Sequence, residues 1–159
     1  MSAHDAIAHE DRPDERAPTP ADPQRQPAQL IRRAQQVHTA MWAAQVSSEV
    51  TSTQFAVLKA IARQPLLDQN TLSREAHLDT STVADVVNRL HARGLLERTR
   101  DAVDRRRNLL TLTESGQRLY EGLQVAATAM TERLVGCLSE EDRRDLVRIL
   151  TLLVEAGEA

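Results

Sequence analysis

From Pro27 onward, apolar residues recur at helical spacing. Leu30, Ala34, Val37 and Met41 mark one face of a first helix, broadened by Ile31 and Trp42. That helix is predicted to end near Ser47-Ser48. Thr51-Ser52-Thr53-Gln54 has the form of a capping box, in which the Thr51 hydroxyl accepts a free backbone N–H and Gln54 reaches back. Phe55, Leu58, Ile61 and Ala62 then give the buried face of a second helix, stopped by Pro65. A third helix is predicted over about residues 71–77, capped by Asp68 or Asn70. Leu78-Asp79-Thr80-Ser81 reads as a tight turn, with Thr80 or Ser81 capping a fourth helix. Val83, Val86, Val87 and Leu90 are the apolar face of that helix, and Gly94 suits a left-handed residue beyond its end. Residues 95–99 and 108–112 alternate as two short strands. Thr113 caps a long fifth helix with the stripe Leu119, Leu123, Ala126, Ala127, Met130 and Leu134. Ser139-Glu140-Glu141-Asp142 opens a sixth, its acids opposing the helix dipole, with Leu146, Ile149, Leu150, Leu153 and Val154 as the apolar face. Two such helices carry more apolar surface than they can hide in each other. A partner surface is expected, and a symmetric dimer is the common answer.

Composition narrows this picture. A chain of 159 residues suggests one domain, or one domain and a tail. Trp42, Phe55 and Tyr120 are the only aromatics, so the core must be aliphatic, which favours helices. The fold expected is mainly α with a small β-hairpin: a winged helix-turn-helix with a helical dimerisation region. Residues 1–27 hold five of the six prolines and six acids against three arginines, the pattern of a disordered acidic tail. Residues 28–50 are read as an N-terminal helix, 51–113 as the winged helix-turn-helix and 114–159 as C-terminal helices whose excess apolar surface suits dimerisation. There is no apolar run long enough for a membrane span and no signal-peptide pattern. The single Cys137 excludes an internal disulfide and fits a reducing cytoplasm. It closes an apolar helix face with only Arg133 nearby to lower its pKa, so it is expected to be buried and inert.

The net charge of −3 argues against indiscriminate nucleic-acid coating, but the distribution matters more than the sum. Residues 93–107 contain six arginines against Glu97, Asp101 and Asp104. A helix-turn-helix followed by a hairpin tipped with Asp104-Arg105-Arg106-Arg107 suits one helix in the DNA major groove and an arginine beside it in the minor groove. Thr80, Ser81, Thr82, Asp85, Asn88 and Arg89 are the candidate contacts on the fourth helix. Ser81 and Thr82 lie where backbone N–H groups favour a phosphate. Thr82 can meet a thymine methyl, and Asn88 an adenine edge. Arg105 and Arg107 would reach phosphates or Asp104. No Gly-rich phosphate loop, catalytic triad order or paired acids suggests an enzyme. His77 and His91 lack metal-ligand spacing and are read as structural or DNA-proximal, so no metal or other cofactor is expected.

The order of elements resembles the MarR family of winged-helix regulators. The residues that carry the resemblance are Thr51-x-x-Gln54-Phe55-x-x-Leu58, Leu72, Leu78, Thr82-Val83, Arg89-Leu90, Arg93-Gly94-Leu95, Glu97-Arg98, Asp104-Arg105-Arg106 and Leu112-Thr113-x-x-Gly116. The resemblance covers about residues 28–157. It implies an obligate homodimer in which residues 28–50, as an N-terminal dimerisation helix, interlock with the C-terminal dimerisation helices of 114–159. That dimer would be bound to a short palindromic operator, acting as a repressor and released by a small, often aromatic, ligand. Arg106 matches the family arginine that enters the minor groove. Two positions depart from the family pattern. Asp85 stands where a basic residue is common, so it should accept from a cytosine or orient Arg89. Asn88 stands where an Asp is common and holds the wing arginine, which weakens the charge basis for wing ordering.

Within the family, Ile31-Arg32-Arg33-Ala34-Gln35-Gln36-Val37-His38, Asp68-Gln69 and Leu78-Asp79-Thr80-Ser81-Thr82 resemble repressors of aromatic-acid catabolism, and the nicotinate-pathway group above all. The inducer this implies is 6-hydroxynicotinic acid. The family pocket is lined by the first helix, which makes Arg32, Arg33, His38 and Trp42 the candidate ligand-binding residues. Arginine offers a fork for a carboxylate, while His38 and Trp42, four apart, can hydrogen-bond and stack. Arg32 lies about 240° around the helix from His38, so the two need not face one pocket in the same subunit. Two other readings follow from the same residues: a redox sensor acting through Cys137, and a winged-helix module that binds protein rather than DNA.

Overall fold

The computed structural model describes residues 26–158. Most of the expected acidic tail therefore lies outside the described residues. The exceptions are Gln26 and Pro27, and Pro27 opens the first helix, where its missing N–H costs nothing. The chain divides into two units, at Gln35 and Gln36, inside this helix, α1 (Pro27–Gln45). Of the first unit, residues 26–35 are described, and all are exposed.

The second unit continues α1 and then runs α2 (Ser52–Arg63), β1 (Leu67–Asp68), α3 (Gln69–Ala76), α4 (Thr80–Ala92), β2 (Leu96–Arg100), β3 (Asn108–Leu112), α5 (Glu114–Leu134) and α6 (Glu140–Glu158). The three strands form an antiparallel sheet in the order β1-β3-β2. Leu67 pairs with Leu110, and Leu96 with Leu112. Sequence periodicity anticipated the hairpin but missed β1, because two residues carry no period to read.

Helix boundaries follow their caps. Thr51 and Gln54 close the capping box at α2 in both directions, each at 3.1 Å. Asp68, not Asn70, caps α3. Asp79 caps α4, correcting the expectation of Thr80 or Ser81: its carboxylate takes the Thr82 N–H at 2.9 Å and both neighbouring hydroxyls. A carboxylate is the stronger acceptor, and it sits where the helix dipole favours negative charge. Between α3 and α4, His77 turns the chain in a left-handed conformation.

The main core joins α2, α3, α4 and the sheet. Leu58, Ile61, Leu72, Leu90, Leu96 and Leu110 are essentially inaccessible within it. A second cluster of Trp42, Ala127 and Met130 packs with Phe55 and Val46. Tyr120 joins the α5 stripe, and its ring stacks on Phe55 at 5.7 Å, with Trp42 5.2 Å from Phe55 on the other side. Cys137 is exposed, against expectation. α5 ends at Leu134, and the turn that follows carries Cys137 off the apolar face. Among the described residues no helix is long and apolar enough to cross a membrane.

One contact ties the wing to α5. Thr113 donates its N–H to the Leu95 carbonyl at 3.1 Å and its hydroxyl to the Gly94 carbonyl at 2.7 Å, while that hydroxyl accepts the Gly116 N–H at 3.0 Å. Gly116 lies so close that a Cβ on it would stand 1.9 Å from the Leu95 oxygen. The obstacle is backbone and cannot rotate away. Gly116→Ala is therefore expected to destabilise the fold by roughly 1–3 kcal/mol, as overpacking does. Urea melts against the parent protein measure it, and an unchanged midpoint would refute the close approach.

Candidate nucleic-acid interface and effector pocket

α4 presents one apolar and one polar face because Val83, Val86, Val87 and Leu90 are buried at helical spacing. Thr80, Ser81, Asp85, Asn88 and Arg89 are left exposed, and Thr82 is half-buried. The structure thus brings the predicted major-groove residues onto one surface. The Ser81 and Thr82 hydroxyls are already donated to Asp79, so a phosphate at this helix end would compete with a carboxylate. Asp85 makes no ion pair with Arg89, so it does not orient that arginine in the free protein.

β2 and β3 form the wing. Its loop, residues 101–107, is bonded to itself. Asp101 accepts the Val103 N–H at 2.9 Å, and Asp104 accepts the Arg106 N–H at 3.0 Å. The Arg107 N–H reaches the Asp104 carbonyl at 2.9 Å, and the Asp101 N–H reaches the Arg107 carbonyl at 3.0 Å. Arg105 and Arg106 are exposed at the tip. Arg107 departs from expectation: it pairs with Asp68, not with Asp104. Asn88 does hold a wing arginine, but it is Arg98 on β2 rather than Arg106. Neither Asp68 nor Arg98 was a candidate from sequence, since both partners lie far along the chain. His91 faces the Leu96 carbonyl at 3.0 Å, which makes it a strut between α4 and β2.

Of the effector candidates, Arg32 and Arg33 are exposed on α1. His38 and Trp42 are brought together, ring centres 6.3 Å apart. Trp42 is buried, and its indole N–H donates to the Val50 carbonyl at 2.6 Å. Beside it lies a pocket of about 120 Å³ walled by Thr39, Trp42, Ser47, Ser48, Val50 and Thr51, among others. A cavity of about 150 Å³ holds a benzene ring, so this one is close to ring size. Its serine and threonine walls were not picked out from sequence, where they read only as a helix end and a cap. The Nδ1 atom of His38 is buried with no hydrogen-bond partner.

A polar recognition helix beside an arginine-tipped hairpin defines a winged helix-turn-helix protein. Residues 48–107 match the profile of the MarR family. The chain is 32% identical over 141 residues to the HTH-type transcriptional repressor NicR of Pseudomonas putida, covering 88% of this chain and 89% of that protein. The chain belongs to the MarR family and is a regulator, not an enzyme. Its fold is similar to that of the PcaV regulator of Streptomyces coelicolor in complex with its natural ligand. The TM-score is 0.83 at 38% identity, over 87% of this chain and 99% of that one. It is also similar to Bordetella bronchiseptica BpsR, whose DNA binding is regulated by 6-hydroxynicotinic acid. There the TM-score is 0.72 at 34% identity, over 79% and 96% of the two chains.

Two carboxylates at this surface are held below the ordinary aspartate value of 3.8. The Ser81 and Thr82 hydroxyls hold Asp79 down, together with the Thr82 N–H. For Asp68 the cause is the Thr71 N–H first, then Arg107. A lowered carboxyl stabilises the fold above its ordinary pKa, and that contribution is lost as pH falls through the lowered value. Stability is therefore expected to hold from neutrality to about pH 4 and to fall below it. Asp79→Asn keeps a capping side chain but should flatten that acid limb. Urea melts across the acid range measure the effect, and an acid limb identical to the parent's would contradict it.

Proposed function

We propose that this protein is a dimeric, ligand-released transcriptional repressor that binds a palindromic operator. The single observation that carries the reading is the exposed polar face of α4, set beside a wing whose tip presents Arg105 and Arg106. α4 would enter the major groove with Ser81, Thr82, Asp85, Asn88 and Arg89, and Arg106 would enter the minor groove. Arg105 would meet phosphate. BpsR, a neighbour whose DNA binding is regulated, and the repressor NicR support the same reading.

Dimerisation is supported by α6. Leu146, Val147, Ile149, Leu150, Leu152, Leu153 and Val154 are all exposed in the single chain. A patch of that kind on a soluble protein marks an interaction site. A second copy presents the same helix, and a two-fold contact would cover both faces.

The effector proposed is a small aromatic or pyridine carboxylic acid bearing a ring hydroxyl, with 6-hydroxynicotinic acid the first compound to test. A ring-sized pocket walled by Trp42 supports it, and His38, whose ring lies 6.3 Å from Trp42 although it does not line that pocket, is proposed as the partner of the ring hydroxyl. Arg32 or Arg33 is proposed as the carboxylate anchor. A ligand that fits the DNA-incompetent arrangement better shifts the protein off its operator.

Three measurements test this. A mobility shift on the DNA upstream of the protein's own gene should show binding that falls steeply with salt. Arg106→Ala should weaken that binding by roughly 1–3 kcal/mol; undiminished affinity at physiological salt would remove the wing from the interface. Sedimentation should give a dimer for the parent and a monomer for Leu150→Asp, and a monomeric parent would end the dimer reading. In a thermal-shift screen of hydroxylated benzoates and nicotinates, a binder at 100 times its Kd should stabilise by about 2.7 kcal/mol. His38→Ala should lose that gain, and a screen without any shift would refute the effector class.

A further inference from the structure

The pair formed by Arg107 and Asp68 joins residues 39 apart in sequence. Arg107 is the last residue of the wing loop. Asp68 ends β1 and caps α3, and it faces Leu109 across the β1–β3 ladder. The carboxylate is fully engaged: one oxygen accepts the Thr71 N–H at 2.9 Å, and the other takes the Thr71 hydroxyl and the guanidinium. Its side chain is only 12% exposed, against 52% for Arg107. Asp68 is thus a fixed point set into the lobe, and Arg107 is the arm that reaches it.

Fixing that arm fixes the loop. Arg107 exchanges backbone bonds with both Asp101 and Asp104, and Asp104 in turn holds the Arg106 N–H. The seven loop residues therefore move with Arg107. A second side-chain tie, Arg98 to Asn88, grips β2 rather than the loop and has no negative partner. Arg106, Arg107 and Arg74 share a cleft of about 560 Å³ with Asp68, so the pair lies beside Arg106.

We propose that Asp68 is a positioning residue for the wing: it holds Arg107 out of phosphate contact and thereby sets the loop so that Arg105 and Arg106 project toward DNA. The inference rests on the DNA-binding reading above. It assigns Arg107 a structural partner where sequence alone offers it as one more phosphate ligand.

The test uses the full chain with Asp68→Asn, Arg107→Gln and the double variant. Asn caps a helix as well as Asp does, so α3 is retained. Each single variant should weaken operator binding about three- to tenfold, and the double should be no weaker than either, the signature of one coupled pair. The slope of log affinity against log salt should stay at the parent value, because no phosphate contact is lost. Hydrogen exchange in the free protein should quicken at the Asp101, Arg106 and Arg107 amides in all three. Overturning results are equally specific. One is Arg107→Gln lowering the salt slope by about one while Asp68→Asn binds as tightly as the parent or more so. Another is unchanged exchange protection in the loop. If the parent itself binds no operator, the DNA-binding reading fails, and the exchange measurement still decides the pair.

Discussion

The Leu95 carbonyl is the point on which the lobe closes. It accepts the Thr113 N–H, and Gly116 passes so near that only a residue without a side chain can occupy the position. The Thr113 hydroxyl binds the preceding carbonyl, of Gly94, and caps α5 with the same oxygen. Three turns of chain are thereby tied at one place: the end of α4, the start of β2 and the passage from β3 into α5. Gly94 makes the first of these possible, because its φ of +68° is a conformation that side chains resist. The ladder with β1 and the burial of Leu96 and Leu110 hold the hairpin on the core, and this knot adds a fixed joint where it meets α4 and α5. With it, the direction of the wing is set relative to α4.

The same knot delivers α5 to the other half of the problem. Tyr120 on α5 stacks on Phe55 of α2, and Phe55 meets Trp42 of α1. The rings form a continuous packed path from the wall of the ring-sized pocket to the core under α4. Packed interiors transmit a displacement because they have little free volume to absorb it. A ligand that moved Trp42 would press on Phe55, which packs against the cluster holding Leu58 and Leu90. Aromatics are scarce in this chain, and all three lie on that path.

How much of this was legible in sequence follows from the range of each interaction. The capping box at Thr51, the end of α4 at Gly94 and the stripe of α5 depend on residues within four positions of one another, and periodicity exposes them. Asp79 was passed over as the α4 cap because Thr80 and Ser81 are equally good cap residues one and two places on. What local reading missed was built at a distance. β1 exists only because Leu67 meets Leu110. The polar wall of the pocket comes from Ser47 to Ser52 folding back on Trp42. Cys137 was misjudged for a related reason: an apolar stripe extrapolated past the end of its helix continues on paper, whereas the chain turns at Val135.

Charge gives the sharpest instance. Counted along the chain, the stretch from Arg93 to Arg107 is a concentrated cationic field, and each arginine looks like a contact. In the fold, Arg107 is neutralised by Asp68, which lies outside the counted window, and Arg98 is held by Asn88. Arg105 and Arg106 remain free at the loop tip. A wing with fewer available charges binds DNA less through counterion release and more through the placement of the charges it keeps. Such a wing depends on being aimed. That agrees with a net charge of −3, which disfavours indiscriminate adhesion to nucleic acid. It also gives Asn88 a physical place. An Asp there would add negative charge to the exposed polar face of α4. Asp68 supplies a carboxylate to Arg107 instead, with its side chain 12% exposed and its oxygens already accepting from Thr71.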